Sequence, residues 1–131
     1  MNSCLRLSAA HFLNKLQEEM NMTVKALADA LELSILSPGD PDANIESVYC
    51  GDLLSWVMGR ADEGCAWITI MSNQNVAAVA VLVDMACVIL AEGVNPDADL
   101  LSRCQNQDIC LMTSEKSAYE LAWQLHELLK L

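Results

Sequence analysis

Four short polar runs carry the side chains best suited to hold a small molecule: Gly51-Asp52, Ser72-Asn73-Gln74-Asn75, Glu92-Gly93-Val94-Asn95 and Thr113-Ser114-Glu115-Lys116. Each follows an apolar, strand-like run. In an open parallel sheet such positions gather at the carboxyl ends of the strands, where hydroxyls, carboxamides and helix-start amides bind polar or anionic groups. Lys116 and Arg103 are the only cations near that rim. The candidate ligand residues are therefore Gly51, Asp52, Ser72, Asn73, Gln74, Asn75, Glu92, Gly93, Thr113, Ser114 and Lys116. Taken singly, Asn, Ser and Thr before a helix more often cap it than touch a ligand.

Catalytic chemistry finds less support. Gly59-Arg60-Ala61-Asp62-Glu63-Gly64 has the spacing of a phosphate-binding loop, but Cys65-Ala66 stands where Lys and Ser/Thr are needed. Without that lysine and hydroxyl, nothing neutralises a transferring phosphoryl group or holds its Mg²⁺. The six cysteines (Cys4, Cys50, Cys65, Cys87, Cys104, Cys110) form no C-x-x-C pair, and only His11 and His126 could complete a mixed metal site. No catalytic residue, metal or cofactor is expected. Cys50, Cys87 and Cys110 lie in apolar runs and read as free thiols of the core.

The elements that must position the rim come from 131 residues, 53% of them apolar, which suits one domain. A net charge of -11 repels nucleic acid and anionic membrane surfaces. Residues 1–20 read as an extension or a weak amphipathic helix (Ala9, Phe12, Leu13, Leu16, Met20), and residues 21–131 as the domain. The N-terminus lacks the pattern of a signal peptide, and Val76–Ala91 is too short to span a bilayer and carries Asp84 in its middle. A cytoplasmic protein is expected.

A helix from Thr23, as N-cap, to about Leu33 is followed by a strand at 34–37, a Pro/Gly loop, a strand at 45–50 and a helix at 53–59. The order then becomes strand 66–71, helix 75–85, strand 87–91, helix 97–104, strand 109–112 and helix 117–130. The strands read as continuous apolar runs, as in parallel sheets covered on both faces. This predicts a small three-layer α/β/α domain with a mainly parallel sheet. Asn95-Pro96-Asp97 reads as a cap, first-turn proline and acidic first turn, and Ser117–Glu120 as a capping box. The helix-turn-helix pattern begun by Val24–Leu31 lacks its second helix. In the helix at 53–59, Leu53, Leu54, Val57 and Met58 share one face. Trp56, Tyr119 and Trp123 lie off the core stripes and are the candidate anchors of a homodimer interface, with broad core packing as the alternative.

The runs Val48–Met58, Ala66–Asn73, Leu90–Gly93 and Ser117–Glu120 together resemble a stand-alone DRTGG-domain protein, a family similar to the N-terminal domain of HPr kinase and also found beside CBS domains in regulatory pyrophosphatases. The motif itself departs: Gln74-Asn75 stands near the Asp-Arg position and Ala91-Glu92-Gly93 at Thr-Gly-Gly, so only Gly93 is kept. Replacing a guanidinium by amides and adding a carboxylate weakens phosphate binding. The resemblance implies a non-enzymatic regulatory or scaffolding module with a small-molecule regulator such as an adenine nucleotide. The alternative it leaves is a pure interaction partner in a redox or hydrogenase system of the kind found in anaerobic bacteria.

Overall fold

Thr23 accepts a hydrogen bond from the Ala26 amide at 3.1 Å and so caps α1, Val24–Leu31. Its stripe Val24, Leu27, Ala28 and Leu31 is buried, and the helix stops where Glu32 turns left-handed at φ 55°. The chain continues through β1 (Ser34–Ser37), β2 (Ser47–Cys50), α2 (Leu54–Arg60), β3 (Cys65–Thr69), α3 (Asn75–Val83), β4 (Cys87–Leu90), α4 (Ala98–Asn106), β5 (Leu111–Thr113) and α5 (Ala118–Leu129). The computed structural model describes Ala9 and residues 22–130, so the helix expected over residues 1–20 lies, apart from Ala9, outside the described residues.

The strands form one sheet in the order β1-β5-β4-β3-β2. The pairs β2–β3, β3–β4 and β4–β5 are parallel, and β1 runs antiparallel along β5 at one edge. Every residue of β3 and β4 is buried, which is why their sequences are apolar without alternation. Helices α1 and α5 pack on Ala66, Ile68, Ile89 and Met112. Helices α2, α3 and α4 cover Trp67, Val88, Leu90 and Leu111 on the opposite face. The architecture is thus α/β/α in three layers with a mostly parallel sheet. Trp67 is fully buried and its indole N–H donates to the Gly51 carbonyl at 2.9 Å, so the largest side chain of this core leaves no polar group unpaired.

Several sequence expectations shift. β2 begins at Ser47 rather than Ile45, because the Ile45 amide is spent on Met22 and that of Glu46 on Gly64. β5 is Leu111–Thr113 rather than 109–112, since the Ile109 amide still closes the end of α4 on Cys104. α4 begins at Ala98 with Asp97 as its N-cap, two residues later than a cap at Asn95 implied. Cys50 is exposed, being the last residue of an edge strand, and is not a core thiol; Cys65, Cys87, Cys104 and Cys110 are buried. On α2 only Val57 is fully inside, while Leu53 and Met58 face solvent. Trp56, Tyr119 and Trp123 are all exposed, but α2 and α5 sit on opposite sides of the sheet, so the three do not form one face. Where a second DNA-reading helix would follow α1, the chain forms β1 instead.

Candidate functional site

A cleft of about 250 Å³ opens at the carboxyl ends of β4 and β5. Four of the expected rim residues line it: Gly93, Thr113, Ser114 and Lys116. The loops that carry them are laced together by main-chain bonds, Glu92 N to Lys116 O at 2.8 Å, Gly93 N to Ser114 O at 2.9 Å and Ser114 N to Leu90 O at 2.9 Å. Glu92 and Gly93 both adopt left-handed conformations, φ 62° and 70°. These are the positions matching the Gly-Gly of the resembled motif, and a left-handed pair is what glycine permits without strain. A Cβ at Gly93 would fall 2.5 Å from Glu115 Oε2, the far end of a side chain that can swing aside, so the positive φ rather than crowding is what favours glycine here.

The other wall comes from residues that the sequence pattern did not nominate: Leu31 and Glu32 at the end of α1, and Ser34 at the start of β1. Ser34 pairs with Thr113 across the antiparallel edge, and that register delivers it to the cleft. Without knowing that β1 lies against β5, no local signal marks it. Asn95 and Glu115 complete the polar lining; they lie within the polar runs but were not among the candidates.

The remaining candidates have internal work. Asp52 Oδ1 accepts from the Thr69 hydroxyl at 2.8 Å and from the Ile70 amide at 2.9 Å, and Gly51 N donates to Ile68 O at 3.1 Å. Gly51 and Asp52 therefore clasp the β2–α2 junction to β3. Asn73 Oδ1 accepts from the Asn75 amide at 2.9 Å, Gln74 begins α3, and Ser72 O accepts from the Asp97 amide at 2.9 Å. That loop starts α3 and ties it to α4. Glu92 Oε1 accepts from the Ala118 amide at 3.2 Å, at the start of α5. None of these seven lines the cleft. Arg103 stands in the last turn of α4, toward the opposite end of the domain, and leaves Lys116 as the cation of the site.

Electrostatically the cleft sets two carboxylates, Glu32 and Glu115, against Lys116, whose ammonium is held by Gln124 Oε1 at 3.1 Å. It suits hydroxyl and amide partners better than a cluster of phosphates. The described thiols stay protonated near neutral pH: partial desolvation at the strand end, and secondarily Asp52, raises Cys50 although its surface is exposed. Burial pushes Cys65 and Cys104 to about 11 and Cys110 to about 12. Such thiols are poor nucleophiles. The Gly59–Gly64 run ends α2 and leads into β3, the reverse of the strand-to-helix placement a phosphate-binding loop needs. Its Asp62, Glu63 and Gly64 line a second cleft of about 600 Å³ at the amino ends of the strands, together with Glu46 and Asp84, where an anion meets only carboxylates among the ionisable groups.

No family model matches the chain, and no curated protein matches it in sequence. Among solved structures it is similar to the crystal structure of the CBS and DRTGG domains of the regulatory region of Clostridium perfringens pyrophosphatase, complexed with the activator diadenosine tetraphosphate. The TM-score is 0.70 at 11% identity, over 84% of this chain and 48% of that one, so this chain corresponds to less than half of its neighbour. The likeness establishes the fold: a mostly parallel α/β sheet arranged like that of a DRTGG-containing regulatory region.

Proposed function

We propose that this chain is a non-enzymatic, self-associating regulatory module that holds a small polar ligand, such as an adenine nucleotide, in the cleft over β4 and β5. The observation that carries this reading is the convergence of Ser34, Asn95, Thr113, Ser114 and Lys116 around about 250 Å³ at the carboxyl edge of a parallel sheet. The fold shared with a structure solved with diadenosine tetraphosphate supports it. Because Glu32 and Glu115 oppose Lys116, the base and ribose are the parts held and added phosphates weaken binding. Thermal-shift and calorimetric titration with adenosine, AMP, ATP and diadenosine tetraphosphate test this. Binding should rank adenosine and AMP above ATP, and Ser34→Trp, which fills the cleft from an exposed strand position, should abolish it. Flat responses to all four remove the ligand part of the reading.

The second reading is an interaction partner without a ligand, in a cytoplasmic redox or hydrogenase-linked system. It is favoured by the apolar side chains left exposed on α2 and α3 and gains ground if every titration is flat.

A further inference from the structure

Helix α3 has no polar face. From Val76 to Val83 every residue is apolar, and Val76, Ala77, Val79 and Ala80 account for its buried side. The outward side is apolar as well: Val81 is 54% and Leu82 70% exposed. A helix that is hydrophobic all round belongs inside a structure. Its neighbour α2, packed beside it, exposes Trp56 at 52% of its surface, with Leu53 preceding it. Both helices lie on the side of the sheet away from α1 and α5, and among the described residues nothing covers these apolar side chains.

Charge says what can cover it. The chain carries 18 acidic residues, yet neither α2 nor α3 contains one. Each of the other described helices does: Asp29 on α1, Asp99 on α4, and Glu120 and Glu127 on α5. Two copies of a chain of net charge -11 repel over most orientations, since like charges brought together at an interface are costly. The α2/α3 face is where two copies can bring helices together without opposing carboxylates. Its only full charge is Arg60, whose guanidinium lies over the Trp56 ring at 3.6 Å and is retained there by the aromatic face. The carboxylates nearest this face, Asp62, Glu63 and Asp84, follow the C-terminal ends of the two helices rather than lying on them.

We infer that the α2/α3 face is the surface on which a second copy of this chain docks, as a two-fold pair in which Val81, Leu82 and Trp56 of each copy meet their counterparts. This rests on the self-association in the reading above and not on its ligand. The patch is only two short helices wide, so the pair forms and dissociates with concentration.

Sedimentation velocity over a concentration series of the full chain tests it. Wild type should move from monomer toward dimer as concentration rises. Leu82→Asp should remain monomeric throughout, with Trp56→Glu as a second variant. Both alter exposed side chains; unchanged circular dichroism, and a thermal midpoint equal to that of wild type at concentrations where wild type is monomeric, will show that they fold. Trp123→Ala, on the opposite side of the sheet, should dimerise like wild type. A Leu82→Asp variant that still dimerises, or a Trp123→Ala variant that does not, overturns this surface while leaving self-association standing. A wild type monomeric at every concentration overturns both.

Discussion

The carboxylate of Glu92 accepts a hydrogen bond from the main-chain amide of Ala118, 26 residues further along the chain, at 3.2 Å. Glu92 reaches it from a left-handed conformation, φ 62°. The amides at a helix start lack intrahelical acceptors and carry a partial positive charge, so a carboxylate there stabilises the helix. Glu92 thus occupies, from within the chain, the place where an anion would otherwise sit at α5. Ser117 satisfies another of the first-turn amides, accepting from Glu120 N at 3.1 Å.

Glu92→Ala should cost about 1 kcal/mol, the magnitude of a lost helix cap with its charge. Glu92→Gln, which keeps an acceptor, should cost less than half of that. Urea denaturation measures both, and amide exchange should quicken at Ala118 in the alanine variant before it changes elsewhere. Equal losses in the two variants would mean that the charge, not the hydrogen bond, dominates.

The sheet was legible in the sequence because burial on both faces leaves a plain signature: the runs around Trp67, Ile89 and Met112 have no alternation, and they became three adjacent parallel strands. Thr23 and Ser117 were legible as caps because a hydroxyl three residues ahead of an amide is a local pattern. The internal hydrogen bonds of Asp52 were not legible, for the complementary reason. Its partners, Thr69 and Ile70, are 17 and 18 residues away, and only the β2–β3 register brings them to it. The same limit hid Ser34, which reaches the cleft through pairing with Thr113. Leu53 and Met58 were misassigned because helical spacing names a face without saying whether a neighbouring layer covers it.

Asp52 and Thr69 should therefore behave as a coupled pair. Thr69 is buried, and its hydroxyl both donates to Asp52 and accepts from the Met71 amide at 3.2 Å. Asp52→Ala leaves that donor unpaired and should destabilise by about 1–3 kcal/mol. Asp52→Asn should recover most of the loss. In a double-mutant cycle with Thr69→Val the coupling should exceed roughly 0.5 kcal/mol; strict additivity would mean that the contact contributes nothing.

Two glycines should respond to alanine with opposite signs. Gly39 has φ 54°, and a Cβ there would lie 2.6 Å from the Cys110 amide nitrogen, in a place that only backbone movement can clear. Gly39→Ala combines left-handed strain of about 1–2 kcal/mol with that clash and should lower stability by more than about 2 kcal/mol. Gly59 lies within α2 and has open space around its Cβ position. Gly59→Ala should raise stability by about 0.5–1 kcal/mol, mostly by restricting the unfolded chain. Chemical denaturation of the two variants beside wild type decides both.

The buried thiols make the fold labile to alkali. Burial raises Cys65 from 9.0 to about 11, with Asp62 adding to it, and burial likewise takes Cys104 to about 11. Cys110 reaches about 12, and Cys87 is raised well above its usual value by burial, with Cys110 and Cys65 adding to it. A thiol whose folded value exceeds its unfolded value binds its proton more tightly in the fold. Stability is therefore complete below pH 9 and falls as pH climbs toward 11, because the unfolded chain gains by ionising first. A thiol displaced from 9.0 to about 11 withdraws on the order of 3 kcal/mol over that window. The urea midpoint should hold level from pH 7 to 8.5 and drop steeply between pH 9 and 11. Cys65→Ala should start lower, having lost packing, but decline less steeply across the same window. A Cys65→Ala slope as steep as that of wild type would show that this thiol titrates alike in both states.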